Sequence, residues 1–148
     1  MRRFDDPPRH GQRYRVRPGV YAIIHDGRRI LLTEQAEPGP EIQLPGGGID
    51  PGEAVIPALH REVIEETGWT IRPERRLGVY QRFTYMPEYD LWARKICVIY
   101  AARAGRRLSP PLEAGHRALW MTPGAALAAL ANDGDRHYLD RFLRRIAG

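Results

Sequence analysis

The stretch Pro45-Gly46-Gly47-Gly48-Ile49-Asp50-Pro51-Gly52-Glu53-Ala54-Val55-Ile56-Pro57-Ala58-Leu59-His60-Arg61-Glu62-Val63-Ile64-Glu65-Glu66-Thr67-Gly68-Trp69 decides how this chain is read. Its run of glycines, Gly46 to Gly48, permits backbone conformations closed to other residues and lets an amide or carbonyl come close to a ligand. From about Ala54 to Thr67 the residues read as a helix. Pro57 falls in its first turn, where a missing N–H costs little, and Gly68 stands just past its end. Ile56, Leu59 and Val63 make an apolar stripe, and beside it Glu62, Glu65 and Glu66, at i, i+3 and i+4, share one face.

Carboxylates this close repel: a pair about 6 Å apart at an effective dielectric of ~20 costs roughly 3 kcal/mol. Glu65 and Glu66 also sit in the last turn, at the negative end of the helix dipole. Arg61 can pair with Glu65, but one guanidinium does not neutralise the whole face. A hard divalent cation relieves the repulsion, since Mg²⁺ takes oxygen ligands and typically bridges carboxylates to substrate phosphates. An acidic helix face alone is ordinary solvated surface, and a glycine-rich turn alone is ordinary loop chemistry. The two in direct succession point to a site.

Outward from this segment the chain reads as strands with a few helices. Val20–Ile24 and Arg29–Thr33 flank Asp26-Gly27 as a hairpin, and Ile42 to Leu44 is a short apolar piece. Leu77–Tyr85 and Leu91–Ala102 read as two long strands, followed by a break at Ser109-Pro110-Pro111 and a short strand Ala118–Met121. Thr122 and Pro123 open an Ala/Leu helix as cap and first residue. Asp135 is expected to cap a last helix with Tyr138, Leu139, Phe142 and Ile146 on one face. Residues 1–17 read as a polar lead-in, and 18–148 as a single α/β domain.

The 148 residues suffice for one core, with 43% hydrophobic and 28% charged side chains. The net charge of +5 comes from arginine with a single lysine, Lys95. Most of it reads as solvated surface. No apolar run approaches the ~20 residues of a membrane helix, and the N-terminus lacks the apolar core of a secretory signal, so a cytoplasmic protein is expected. Cys97, the only cysteine, lies in an apolar run and reads as a small buried hydrophobe.

Gly47-x5-Glu53-x7-Arg61-Glu62-Val63-x-Glu65-Glu66-x-Gly68-Trp69 resembles the Nudix box, G-x5-E-x7-R-E-U-x-E-E-x-G-U with U a bulky apolar residue. Every specified position matches, Trp69 being the one atypical choice, and a chance match is on the order of one in 10⁹ per starting position. The resemblance, to the MutT-like hydrolases of that family, implies an α/β/α sandwich with a mixed sheet. It also implies hydrolysis of a pyrophosphate linkage in a nucleoside diphosphate derivative, of the dinucleoside polyphosphate, ADP-ribose or (d)NTP type, with Mg²⁺ or Mn²⁺. Carried over by position, Glu62, Glu65 and Glu66 would be metal ligands and Gly46 or Gly47 a carbonyl donor. Arg61 would orient the glutamates, and Glu53 would hold the turn. Glu66 and Glu113 are the two candidates for the general base, while His116 reads as structural or exposed.

Tyr85, sixteen residues past Trp69, is similar to a tyrosine of the family's dinucleoside-polyphosphate hydrolases, and Arg82 and Arg94 could meet phosphates. The expected partner is a nucleotide-derived small molecule, with no membrane and no nucleic acid except capped RNA as a substrate. A homodimer stays open. The contrasting reading is a nucleotide-binding sensor of the same fold without turnover.

Overall fold

The computed structural model describes residues 1–37 and 39–147. Its strands are β1 (Arg2–Arg3), β2 (Arg15–His25), β3 (Ile30–Gln35), β4 (Glu41–Gln43), β5 (Gly46–Gly48), β6 (Trp69–Met86), β7 (Leu91–Arg107) and β8 (His116–Met121). The helices are α1 (Val55–Thr67), α2 (Pro123–Ala129) and α3 (Asp133–Ala147). The sheet runs β1-β6-β7-β2-β3-β4, with β5 on β2 and β8 on β3. It is mixed: β2 lies parallel to β7 and β1 parallel to β6, while the remaining pairs are antiparallel.

Alternation along the central strands builds two cores, one on each face. Val20, Ala22 and Ile24 of β2, with Leu31 of β3, pack against Ala58, Leu59 and Val63 of α1. Ile23, Ile30, Leu32, Cys97 and Ile99 point the other way, onto Ala126 of α2 and Tyr138, Leu139 and Phe142 of α3. The result is the α/β/α sandwich expected, and among the described residues no helix is long and apolar enough to cross a membrane.

Several local expectations shift. Strands β6 and β7 extend well beyond the segments expected, because bulges at Trp69/Ile71, Pro73/Arg75 and Arg76/Gly78 carry pairing through a charged, proline-containing stretch. Asp135 is not a cap. The Asn132 side chain accepts from the Asp135 amide at 2.8 Å, and the Asp135 carboxylate is instead buried, taking hydrogen bonds from Leu44 N at 3.2 Å and Tyr80 Oη at 3.0 Å. Ile146 is exposed, since α3 runs past the sheet's apolar surface. Residues 1–17 are tied down in part: Arg2 and Arg3 pair with Tyr80 and Gln81, Phe4 packs edge-on to the Tyr80 ring, and β2 starts at Arg15.

The candidate active site

Helix α1 carries its chemistry on an extension of its buried stripe. Ala58, Glu62 and Glu66 follow at intervals of four, so the packing that buries Ala58 also draws Glu66 inward, leaving it 7% exposed. Its carboxylate accepts the Gly46 amide at 2.9 Å, and its other oxygen lies 3.6 Å from His116 Nδ1. Burial, with Glu113 and Glu62 adding to it against the Gly46 amide, pushes the Glu66 carboxyl well above the usual range. Glu62 is raised as well, first by burial and then by Glu65 and Glu113, with Arg61 opposing. Strand β5 closes directly over these groups: a Cβ at Gly47 would lie 2.4 Å from a Glu62 carboxylate oxygen. A side chain there would displace the Glu62 carboxylate.

Arg61 is the hub of the turn. It grips both oxygens of Glu53 at 2.8 Å, reaches Gly48 O at 3.1 Å and Glu62 at 3.0 Å, and touches Glu65 only at 3.4 Å. The pairing expected with Glu65 is thus secondary. Glu53, drawn down to about 2 by the Arg61 hydrogen bonds, also accepts the Asp50 amide at 3.0 Å and so ties the glycine-rich loop to the helix. Lysine cannot reproduce this planar fork. Arg61→Lys should speed amide exchange at Asp50 and lower kcat/KM by about 10- to 100-fold, the cost usual for losing an orienting group behind metal ligands; exchange mass spectrometry and steady-state rates check both.

Glu113 arrives from 47 residues beyond Glu66. The last carbonyls of α1 lack helical partners, and the segment after β7 supplies donors: Leu112 N and Glu113 N both bond Glu65 O, at 2.8 and 2.9 Å. Glu62, Glu65 and Glu113 can each offer an oxygen within 4.8 Å of the others, and Glu66 and Glu113 can do the same beside a ring nitrogen of His116. Hard oxygen donors, two of them reluctant to ionise alone, suit a divalent cation.

Of the two alternatives for His116, structural or exposed, the structure places it inside. Its side chain is 8% exposed, bonded to Thr33 Oγ1 at 3.0 Å and 3.7 Å from Glu113. Arg82 and Tyr85 line the outer part of the groove that leads from the glycine-rich loop, and the Tyr85 hydroxyl is held by Asp90. Arg94 goes elsewhere. It lies on the opposite face of β7, its Nε donating to Gln81 at 2.8 Å, and lines no cavity described at the loop. Lys95 and Tyr21, which line the groove beside Gly46, had no motif to announce them. Only Lys95's standing as the sole lysine marked it.

A profile of the NUDIX domain matches residues 15–142. A Bacillus subtilis (strain 168) protein named "Putative 8-oxo-dGTP diphosphatase" is 33% identical over 108 residues, 72% of this chain and 66% of its own length. The NAD-capped RNA hydrolase NudC of Mycobacterium tuberculosis (strain ATCC 25618 / H37Rv) is 35% identical over 49% of this chain and 24% of its own. The chain thus spans less than two thirds of the length of these curated relatives. Among solved structures, a Nudix hydrolase from Nitrosomonas europaea shares the fold at TM-score 0.72 and 23% identity, covering 88% of this chain and 90% of that one. A Caenorhabditis elegans Ap4A hydrolase does so at TM-score 0.68 and 19% identity, covering 89% and 98%. With the complete box and its helix placed beneath the glycine-rich strand as described, the chain belongs to the Nudix family.

Proposed function

We propose that this protein hydrolyses a pyrophosphate linkage in a nucleoside diphosphate derivative, with Mg²⁺ or Mn²⁺ held by Glu62, Glu65 and Glu66. The observation that carries the reading is the convergence of Glu62 and Glu66 with Glu113 beside the glycine-rich strand, in a groove of about 410 Å³, with Glu65 in reach of Glu62 and Glu113. The names of the relatives, a diphosphatase and a capped-RNA hydrolase, support the same substrate class. The cation, when bound, neutralises phosphate charge and makes a water more acidic. The chain does the rest. Gly46 fixes the Glu66 carboxylate, and Arg61 holds the loop over the helix. Glu113, exposed at the mouth where Glu66 is buried, takes the proton from the attacking water. His116, between Glu113 and Glu66, positions both carboxylates.

The test is a panel of ADP-ribose, dinucleoside polyphosphates and oxidised dNTPs, assayed with Mg²⁺ and Mn²⁺ and with products identified. Turnover well above a Glu65→Gln control is expected. In the same preparation, either metal at about 100 times its dissociation constant should stabilise the fold by about 2.7 kcal/mol in thermal melts. Tight nucleotide binding with no product from any member would instead establish a sensor.

A further inference from the structure

Three cations stand in one row across the sheet. Arg17 of β2 is the register partner of Lys95 on β7, and Lys95 is the register partner of Arg82 on β6. Register partners share a face, with neighbouring strands about 5 Å apart, and like charges placed directly opposite are unfavourable. Among the described residues, neither Arg17 nor Lys95 has a carboxylate within 4.0 Å. Arg17 lies over the Tyr89 ring at 4.7 Å and Lys95 beside the Tyr21 ring at 5.6 Å. Arg82 is paired through its Nε with Asp5 at 3.3 Å. Tyr21 beside it raises Lys95 above its ordinary value against the opposing effect of burial, so the ammonium is charged at neutral pH.

The row faces the groove. Arg17 and Lys95 line a cavity of about 220 Å³ together with Gly47, Glu62 and Glu66, and Lys95 and Arg82 line its continuation of about 210 Å³. The two acids on that outer part, Glu41 and Glu88, are exposed, and Glu41 is engaged by Gln43 at 3.0 Å. One groove therefore carries the carboxylates of α1 and, along the row, three cations of which only Arg82 has a carboxylate partner. A fold that keeps such a repulsive row on a cavity wall is stabilised when an anion occupies it.

We propose that Arg17, Lys95 and Arg82 form a second anion site, which takes a phosphate beyond the pyrophosphate held at the carboxylates. The preferred substrates are then nucleotides with chains longer than two phosphates. This rests on the reading of the carboxylate end given above for its catalytic consequence, but the anion site itself can be tested without turnover.

The probe is inorganic tripolyphosphate, titrated calorimetrically into the metal-free full chain in chelator. Lys95→Met and Arg17→Met should each weaken binding by about ten-fold or more, the worth of a charged hydrogen bond. Arg144→Met removes the same charge from an exposed pair with Asp140 and should bind like the wild type. Arg17 is half-exposed, so its variant serves if Lys95→Met fails to fold. With metal, Lys95→Met should raise KM for diadenosine tetraphosphate by about ten-fold more than KM for ADP-ribose. The proposal is overturned if tripolyphosphate does not bind, if Lys95→Met and Arg17→Met bind it like Arg144→Met, or if both KM values move together. Absence of turnover in the wild type would sink the hydrolase reading alone, leaving the calorimetry to decide the row.

Discussion

Glu66→Gln is expected to lower kcat/KM by about 10³-fold and, in the opposite direction, to raise the melting temperature of the metal-free protein by about 3 °C. The loss of activity follows from removing a buried negative charge that completes the oxygen donor set. Glutamine keeps the shape, and its Oε1 still accepts the Gly46 amide, so the loop stays in place. The gain in stability follows from burial. An ionised carboxylate at this depth, with Glu62 and Glu113 nearby, is a liability until a cation arrives.

The same physics fixes a pH dependence. A carboxyl whose folded value lies above its unfolded value holds its proton more tightly when folded. Its stabilising contribution is therefore full at low pH and lost as pH rises through the folded value. Metal-free wild type should lose stability as pH rises above the ordinary carboxylate range and through the raised folded value of Glu66, with Glu62 contributing in the same sense, and Glu66→Gln should flatten that slope. A Glu66→Gln protein that melts lower than wild type without metal, or retains activity near the wild-type level, would sink this account.

The box was legible in the sequence because its parts are local: a turn, a helix period and a capping glycine all lie within 25 residues. The two apolar faces of β2 and β3 were legible as strands for the same reason. What could not be read was long-range. Glu113 and His116 reach the helix through backbone hydrogen bonds to Glu65 and a β8 register against β3, neither of which leaves a spacing signature. Arg94 and Lys95, adjacent in sequence, differ in destination only by the parity of a strand. That parity was set by Cys97 and Ile99 packing toward α3, which the sequence could suggest but not orient. The β6 segment around Arg72-Pro73-Glu74-Arg75-Arg76 has no alternation to read; bulges accommodate it only because β7 is there to pair with.

Gly68→Ala should cost about 3 kcal/mol or more, lower the melting temperature by about 10 °C, and reduce kcat/KM even under conditions where the protein is folded. Gly68 ends α1 at φ +77, a left-handed conformation that costs a non-glycine residue roughly 1 kcal/mol. That is the smaller part. A Cβ at this position would lie 1.8 Å from Ser109 O, and a backbone oxygen cannot swing aside as a side chain can. The segment carrying Ser109 is the one that bonds Gly68 O through Leu108 N at 2.8 Å and Glu65 O through Leu112 N and Glu113 N. Pushing it away releases Glu113 from the carboxylate cluster. Gly52→Ala separates the two contributions, because Gly52 has φ +80 with nothing within 4 Å of the added carbon. It should show the conformational cost alone, about 1 kcal/mol, with activity kept. Equal losses in the two variants would mean that the contact with Ser109 contributes nothing, and that Glu113 is held by something other than the end of the helix.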